Sequence, residues 1–189
     1  MKLQKLFFIL CVFLLEGIFF STLAQGAPIP VTSSSFIISS HLGKFISNHG
    51  FSIHADKTDW IHSSPPKDNP SMATLYRSPK THLGVQAALT VRVDHLIKKQ
   101  TPKKYIKRWL KDYPRFGFKI LKARPMKINK QRAFVLDMVN HQTSKQLRQV
   151  VFLKKKKVVI LTCRGHHKNF RSEVVEACNH IISNFRWSI

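Results

Sequence analysis

The sequence predicts an α+β fold, an antiparallel sheet flanked by helices and preceded by an N-terminal signal peptide. Three features carry this reading. Strand-like runs dominate the chain beyond residue 40, short polar connections join them in series, and two amphipathic helical segments punctuate the series. The 189 residues suit one domain, and an aromatic content of 11%, with 14 Phe and 3 Trp, supplies material for a packed core. Lys and Arg outnumber Asp and Glu by 32 to 9, a formal charge of +23, yet such aromatic content excludes a disordered polycation. Seven Gly and nine Pro without a period exclude collagen-like and low-complexity chains. The lack of a long second apolar stretch excludes a multi-span helical membrane protein.

The chain opens with Lys2 and Lys5, an apolar run from Leu6 to Phe20, and then Ser21, Thr22, Leu23 and Ala24, the order of a secretory signal peptide over residues 1–24. Glu16 inside the run, and a length of about 15 residues where about 20 are needed, argue against a spanning helix. Cleavage is expected after Ala24, with Gly26 as the second site; Cys11 lies behind bulky Leu10, so lipid attachment is not expected. The exported product, periplasmic or secreted, then keeps no spanning segment. Losing Lys2, Lys5 and Glu16 still leaves a charge of +22. Residues 25–40, small, polar and punctuated by Pro, read as a linker or loosely docked arm, with Phe36, Ile37 and Ile38 as its one apolar trio. The domain is expected over 41–189.

Within it, Lys44 to Ser47 and Phe51 to His54 flank Asn48, His49 and Gly50 and predict a hairpin. Ser63 to Pro70 holds three Pro and reads as a loop, followed by strands at Met72 to Tyr76 and Val85 to Val93. The second of these alternates, with Ala87, Leu89, Val91 and Val93 on one face. Thr101 followed by Pro102 makes a helix start, Ile106, Trp109, Leu110 and Tyr113 form its apolar stripe, and Pro114 with Gly117 ends it. Strands follow at Phe118 to Leu121, Ala133 to Asn140, Gln146 to Leu153 and Val158 to Cys163, paired antiparallel in order. Lys168 to Phe185 closes the chain as a helix with Val174, Cys178, Ile181 and Phe185 in one stripe.

The GFSI run, the later Trp, the ALTVRV strand, the helix ending in YPRFGFKIL, the QVVFLKKKKVVILTC hairpin and the closing IISNFR together resemble the PsbP-like family over roughly residues 41–187. That family includes the photosystem II extrinsic subunit, DcrB-like bacterial envelope proteins and a Ran-binding nuclear-import factor. The resemblance implies an α/β/α sandwich without a shared catalytic motif, whose members mostly bind protein partners. Fold and function are separate matters on such a scaffold. Cys163 and Cys178 remain after export, and an oxidising compartment favours pairing them; the competing reading is two small buried hydrophobes.

For chemistry, His41, His49, His54 and His62 gather early and His166 adjoins His167, but His54 and Asp56 lack a local third ligand, so neither metal nor cofactor is expected. No nucleophile elbow or phosphate-cradling Gly loop is present, and no catalytic residue is assigned. The charge points to anion docking instead, through Lys98, Lys99, Lys103, Lys104, Lys107, Arg108 and Lys111, and through the run Lys154, Lys155, Lys156 and Lys157. The competing reading of both runs is a solvated face and a solvated turn. The expected function is an exported, non-catalytic basic binding protein that docks an anionic envelope component or an acidic protein. Nucleic acid would be held without sequence preference. The alternative is a small secreted basic hydrolase acting on phosphodiesters.

Overall fold

A computed structural model describes residues 37–39, 43–97 and 100–188. The expected signal peptide, the arm as far as residue 36, His41, Lys98 and Lys99 lie outside the described residues. In chain order the elements are β1 (Ile37–Ser39), β2 (Lys44–Ser47), β3 (Phe51–His54), β4 (Ile61–Ser63), β5 (Met72–His82) and β6 (Val85–His95). Helix α1 (Pro102–Asp112) follows, then β7 (Lys119–Ile128), β8 (Gln131–Asn140), β9 (Lys145–Lys154), β10 (Lys157–His166), α2 (Val175–Ser183) and β11 (Arg186–Trp187). They form a seven-stranded sheet in the order β4-β5-β6-β10-β9-β8-β7 and a four-stranded sheet in the order β1-β2-β3-β11. Neighbours are antiparallel throughout. This is the α+β architecture the sequence predicts.

Alternation along the central strands divides the core into two layers. Val159, Leu161 and Cys163 of β10, with Val150 and Phe152 of β9, face the small sheet and α2 and pack with Phe51, Ile53, Ile181 and Phe185. The Phe152 and Phe185 rings stack with centroids 4.2 Å apart. The intervening residues Val158, Ile160 and Val151 face the other way and meet Tyr105 and Ile106 of α1. A run of four consecutive buried residues, Val158 to Leu161, therefore needs covers on both sides. Gly165 permits the tightest approach of the first layer, since a Cβ there would meet Val174 Cγ2 at 3.0 Å and Phe170 Cδ2 at 3.3 Å.

Several elements exceed what local pattern indicates. The arm ends as strand β1, with Ile37, Ile38 and Ser39 registered against Ile46, Phe45 and Lys44. Strand β5 continues to His82 past Pro79 because a register shift between Arg77 and Thr81 absorbs the missing N–H. Strand β7 runs on through Pro125 to Ile128 because it is the sheet edge, where a Pro and a row of cations cost no ladder bonds to an outer neighbour. The C-terminal helix begins with a π-helical turn, Phe170–Val174, and β4 and β11 are too short to carry a periodic signal. Among the described residues no helix is long and apolar enough to cross a membrane.

Cys163 on β10 and Cys178 on α2 form a disulfide, with Cα atoms 6.2 Å apart and both side chains fully buried. The bridge closes a separation of 15 residues. Replacing both by Ala should cost about 3 kcal/mol by loop entropy, read by denaturant unfolding, and the native mass should lie two hydrogens below that of the reduced chain.

A second stability effect comes from His62 on β4, which stacks on Phe45, meets the edge of Tyr76, and places Nε2 2.6 Å from Thr74 Oγ1. Burial lowers its pKa from the ordinary histidine value of 6.5. The unfolded chain thus takes up a proton first, and the stability His62 contributes is present above pH 6.5 and falls as the pH drops through the folded value. Thermal melts should show Tm declining from neutral pH into the acid range, with a shallower decline in His62→Gln.

Candidate functional site

Helix α1 carries most of the cations that the sequence singles out, and its own chemistry sets where they point. Thr101 Oγ1 accepts from Lys104 N at 3.3 Å, and Pro102 occupies the first turn, where no N–H is required. Tyr105, Trp109 and Tyr113, at successive four-residue steps, form an aromatic seam of tilted and edge-on contacts with ring centroids 5.0 and 6.0 Å apart. Tyr105 lies deeper than any member of the expected stripe. Its hydroxyl donates to Asp94 Oδ2 at 2.6 Å, and burial, then that hydrogen bond and the Asp94 charge, raise its pKa above the ordinary phenol range. Tyr113 donates to Gln149 Oε1 at 2.6 Å, and Gln149 in turn donates to Thr162 Oγ1, so polar groups under the helix end are satisfied on the sheet. After Asp112 the chain tightens into a 3-10 turn, Tyr113–Phe116, and Gly117 ends it at φ 78°.

With the seam turned inward, the cations divide between two flanks. Lys104, Arg108 and Lys111 are exposed on one flank. Arg108 sits 5.7 Å from the Tyr105 ring centroid and borders a cleft shared with Arg92, Asp94 and Asp112, whose carboxylates offset part of its charge. Lys103 and Lys107 are exposed on the other flank, beside Ile106 and Leu110, and with Arg132 of β8 they border a groove of 730 Å³. The groove runs between α1 and the sheet, and its walls include Phe134 of β8, Leu153 of β9 and Pro125 of β7. Among the described residues no carboxylate lines it.

The hairpin run behaves differently. Lys155 and Lys156 form the two-residue turn between β9 and β10, with Lys155 at φ 56°. Both are exposed. Lys154 Nζ donates to Ser188 O at 3.1 Å and lies over the Trp187 ring, while Lys157 Nζ donates to His49 O at 2.8 Å. These two tie the hairpin to the C-terminus and to the β2–β3 turn. The sequence assigns all four to anion docking, but two already hold internal acceptors. Local spacing carries no trace of this, because the acceptors lie 34 and 108 residues away. Residues of β7, β8 and β9 in the groove were missed for the same reason: only the width of the helix stripe, which extends from the aromatic seam to Ile106 and Leu110, hints at a second surface.

A smaller cleft is lined by Lys44, Ser52, His54, Asp56 and Arg186. His54 Nδ1 faces Asp56 Oδ1. Burial first, then the charges of Lys44, Arg186 and His180, lower the His54 pKa from the ordinary histidine value. Arg186 is spent on Ser183 O and Phe185 O. Among the described residues no group of three His, Cys, Asp or Glu could hold a metal ion.

The hairpin assignment has a direct check. Lys157→Met should lower stability by about 1–2 kcal/mol through loss of a charge-assisted hydrogen bond, whereas Lys155→Gly should raise it by about 0.5 kcal/mol because the turn needs positive φ, both read by thermal or denaturant melts.

No protein-family model matches the sequence, and no curated protein matches it. Solved structures do match. LpqN, involved in cell envelope biogenesis of Mycobacterium tuberculosis, superposes with a TM-score of 0.60 at 11% identity, covering 82% of this chain and 90% of its own. The solution structure of cyanobacterial PsbP (CyanoP) from Synechocystis gives 0.55 at 12% identity, with 86% and 98% covered. A Pseudomonas aeruginosa protein of unknown function gives 0.52 at 16%, with 76% and 94% covered. The chain has the PsbP-like fold.

Proposed function

We propose that the chain is an exported, non-catalytic basic binding protein that docks an anionic envelope component through α1. The observation that carries the reading is the exposed array on that helix, Lys103, Lys104, Lys107, Arg108 and Lys111, in a chain of formal charge +23. Such an excess creates a field of several kT that recruits anionic surfaces without a shaped pocket. The helix is anchored by its aromatic seam, so the cations are held at a fixed face. The likeness in fold to LpqN, a protein involved in cell envelope biogenesis, supports an envelope setting. A non-catalytic role is supported by the use of the carboxylates: Asp94 accepts from Tyr105, Asp137 binds Arg148 through both oxygens, Glu173 faces His82, and Asp56 faces His54.

Anionic lipid is favoured over an acidic protein because the exposed Phe116 borders the same cleft as Arg108, a combination suited to a surface that is charged outside and apolar within. The purified protein should cosediment with phosphatidylglycerol vesicles at low salt, fail to do so with phosphatidylcholine, and dissociate as salt shortens the screening length. At about 1 kcal/mol per cation near such a surface, Lys104→Gln, Arg108→Gln and Lys111→Gln together should weaken partitioning about a hundredfold. The same preparation should leave RNA and DNA intact across a pH series. Indifference to anionic vesicles at low salt removes the docking reading, and cleavage of either polymer removes the non-catalytic one.

A further inference from the structure

The groove beside α1 differs from the cationic helix face in one respect: its floor is apolar. Ile106 and Leu110 on the helix face Phe134 and Leu153 on the sheet, and the cavity between them measures 730 Å³. That size is within the range of about 300–1,000 Å³ typical of small-molecule sites. Leu110, Phe134 and Leu153 are half-buried, so the packing of α1 on the sheet leaves this side of the helix only partly covered. Three cations, Lys103, Lys107 and Arg132, stand at the edge with no carboxylate among the lining residues to balance them.

From this we infer that the groove is a binding site for a single-chain anionic lipid. The acyl chain lies along the floor of Ile106, Leu110, Phe134 and Leu153, and the carboxylate or phosphate head lies among Lys103, Lys107 and Arg132. The two halves of the site match the two halves of such a molecule. Burying a chain on this floor removes its methylenes from water, and the ammonium and guanidinium groups supply charge-assisted hydrogen bonds to the head. A neutral apolar ligand would leave the three cations unmatched, and a hydrophilic anion would leave the floor exposed. The inference deepens the docking reading by naming the class of molecule taken, and it rests on that reading for the presence of lipid near the helix.

The test is calorimetric titration of the purified protein with tetradecanoate below its critical micelle concentration, with tetradecanol as the neutral-headed control. Saturation at one molecule per chain is expected, with a negative heat-capacity change from apolar burial. Tetradecanol should bind about tenfold more weakly for want of the charged head. Leu110→Trp, which fills the groove, should weaken tetradecanoate about tenfold or more while leaving retention on phosphatidylglycerol vesicles unchanged. Lys103→Gln with Lys107→Gln should bring tetradecanoate down to the level of tetradecanol. If Leu110→Trp fails to fold, the comparison of the two ligands on the unmodified chain still decides.

Absence of saturable binding, or equal affinity for both ligands, overturns the site. So does a sedimentation result in which the chain is a dimer that Leu110→Trp dissociates, since the groove would then hold a second copy. Vesicle retention without tetradecanoate uptake leaves docking standing and removes the groove site. Uptake without vesicle retention does the reverse.

Discussion

The pairing of β6 with β10 is the constraint on which the molecule depends. Two meanders, β4-β5-β6 and β7-β8-β9-β10, would each be a separate sheet without it, and the contact joins residues some seventy positions apart, such as Val93 with Val159 and Leu89 with Cys163. It places β10 at the centre with both faces apolar, and a strand in that position must be covered twice. The small sheet and α2 provide one cover, held by the Cys163–Cys178 bridge, and α1 provides the other. Closing so long a loop is entropically expensive, so both covers have to contribute before the centre is stable.

The site follows from how the second cover is attached. Helix α1 leaves the end of β6 and the chain returns at the far edge, β7, so the helix packs over the strands between them, β10, β9 and β8. Its aromatic seam and the Tyr105–Asp94 hydrogen bond fix its rotation, and rotation alone decides which cations look outward and which border the groove. Charge in this protein is therefore a matter of placement as well as quantity. The lysines at the β9–β10 turn show the contrast, since Lys154 and Lys157 reach backbone carbonyls of the small sheet and its C-terminal extension and serve the fold.

What was legible in the sequence was whatever depends on neighbours within a few positions. The N-cap at Thr101, the alternation through Leu89 and Val91, the turn at Asn48 to Gly50 and the Cys178 stripe all repeat within one element, and each is found in the structure. The hidden parts depend on pairing. Lys122 to Lys127 carries no apolar rhythm because an edge strand exposes both faces of its outer residues, and Pro79 stays in a strand only because the partner shifts register around it. The groove is hidden for the same reason, since Leu110, Pro125, Arg132 and Leu153 meet only after three strands and a helix have assembled. The cations of α1 stand as a run in the sequence, while their division between two flanks needed the depth of Tyr105.

Strand β7 has a consequence for how copies of this chain meet one another. Among the described residues it is the longest edge strand, with Lys119, Lys122, Arg124 and Lys127 along it and Pro125 in the middle. Counterions or headgroups can neutralise the ammonium groups, which would ordinarily invite neighbouring chains to stitch together through their backbones. Pro125 has no amide proton to contribute at any ionic strength. The edge strand therefore cannot present an unbroken row of backbone donors to a neighbouring copy, whether its cations are neutralised or not.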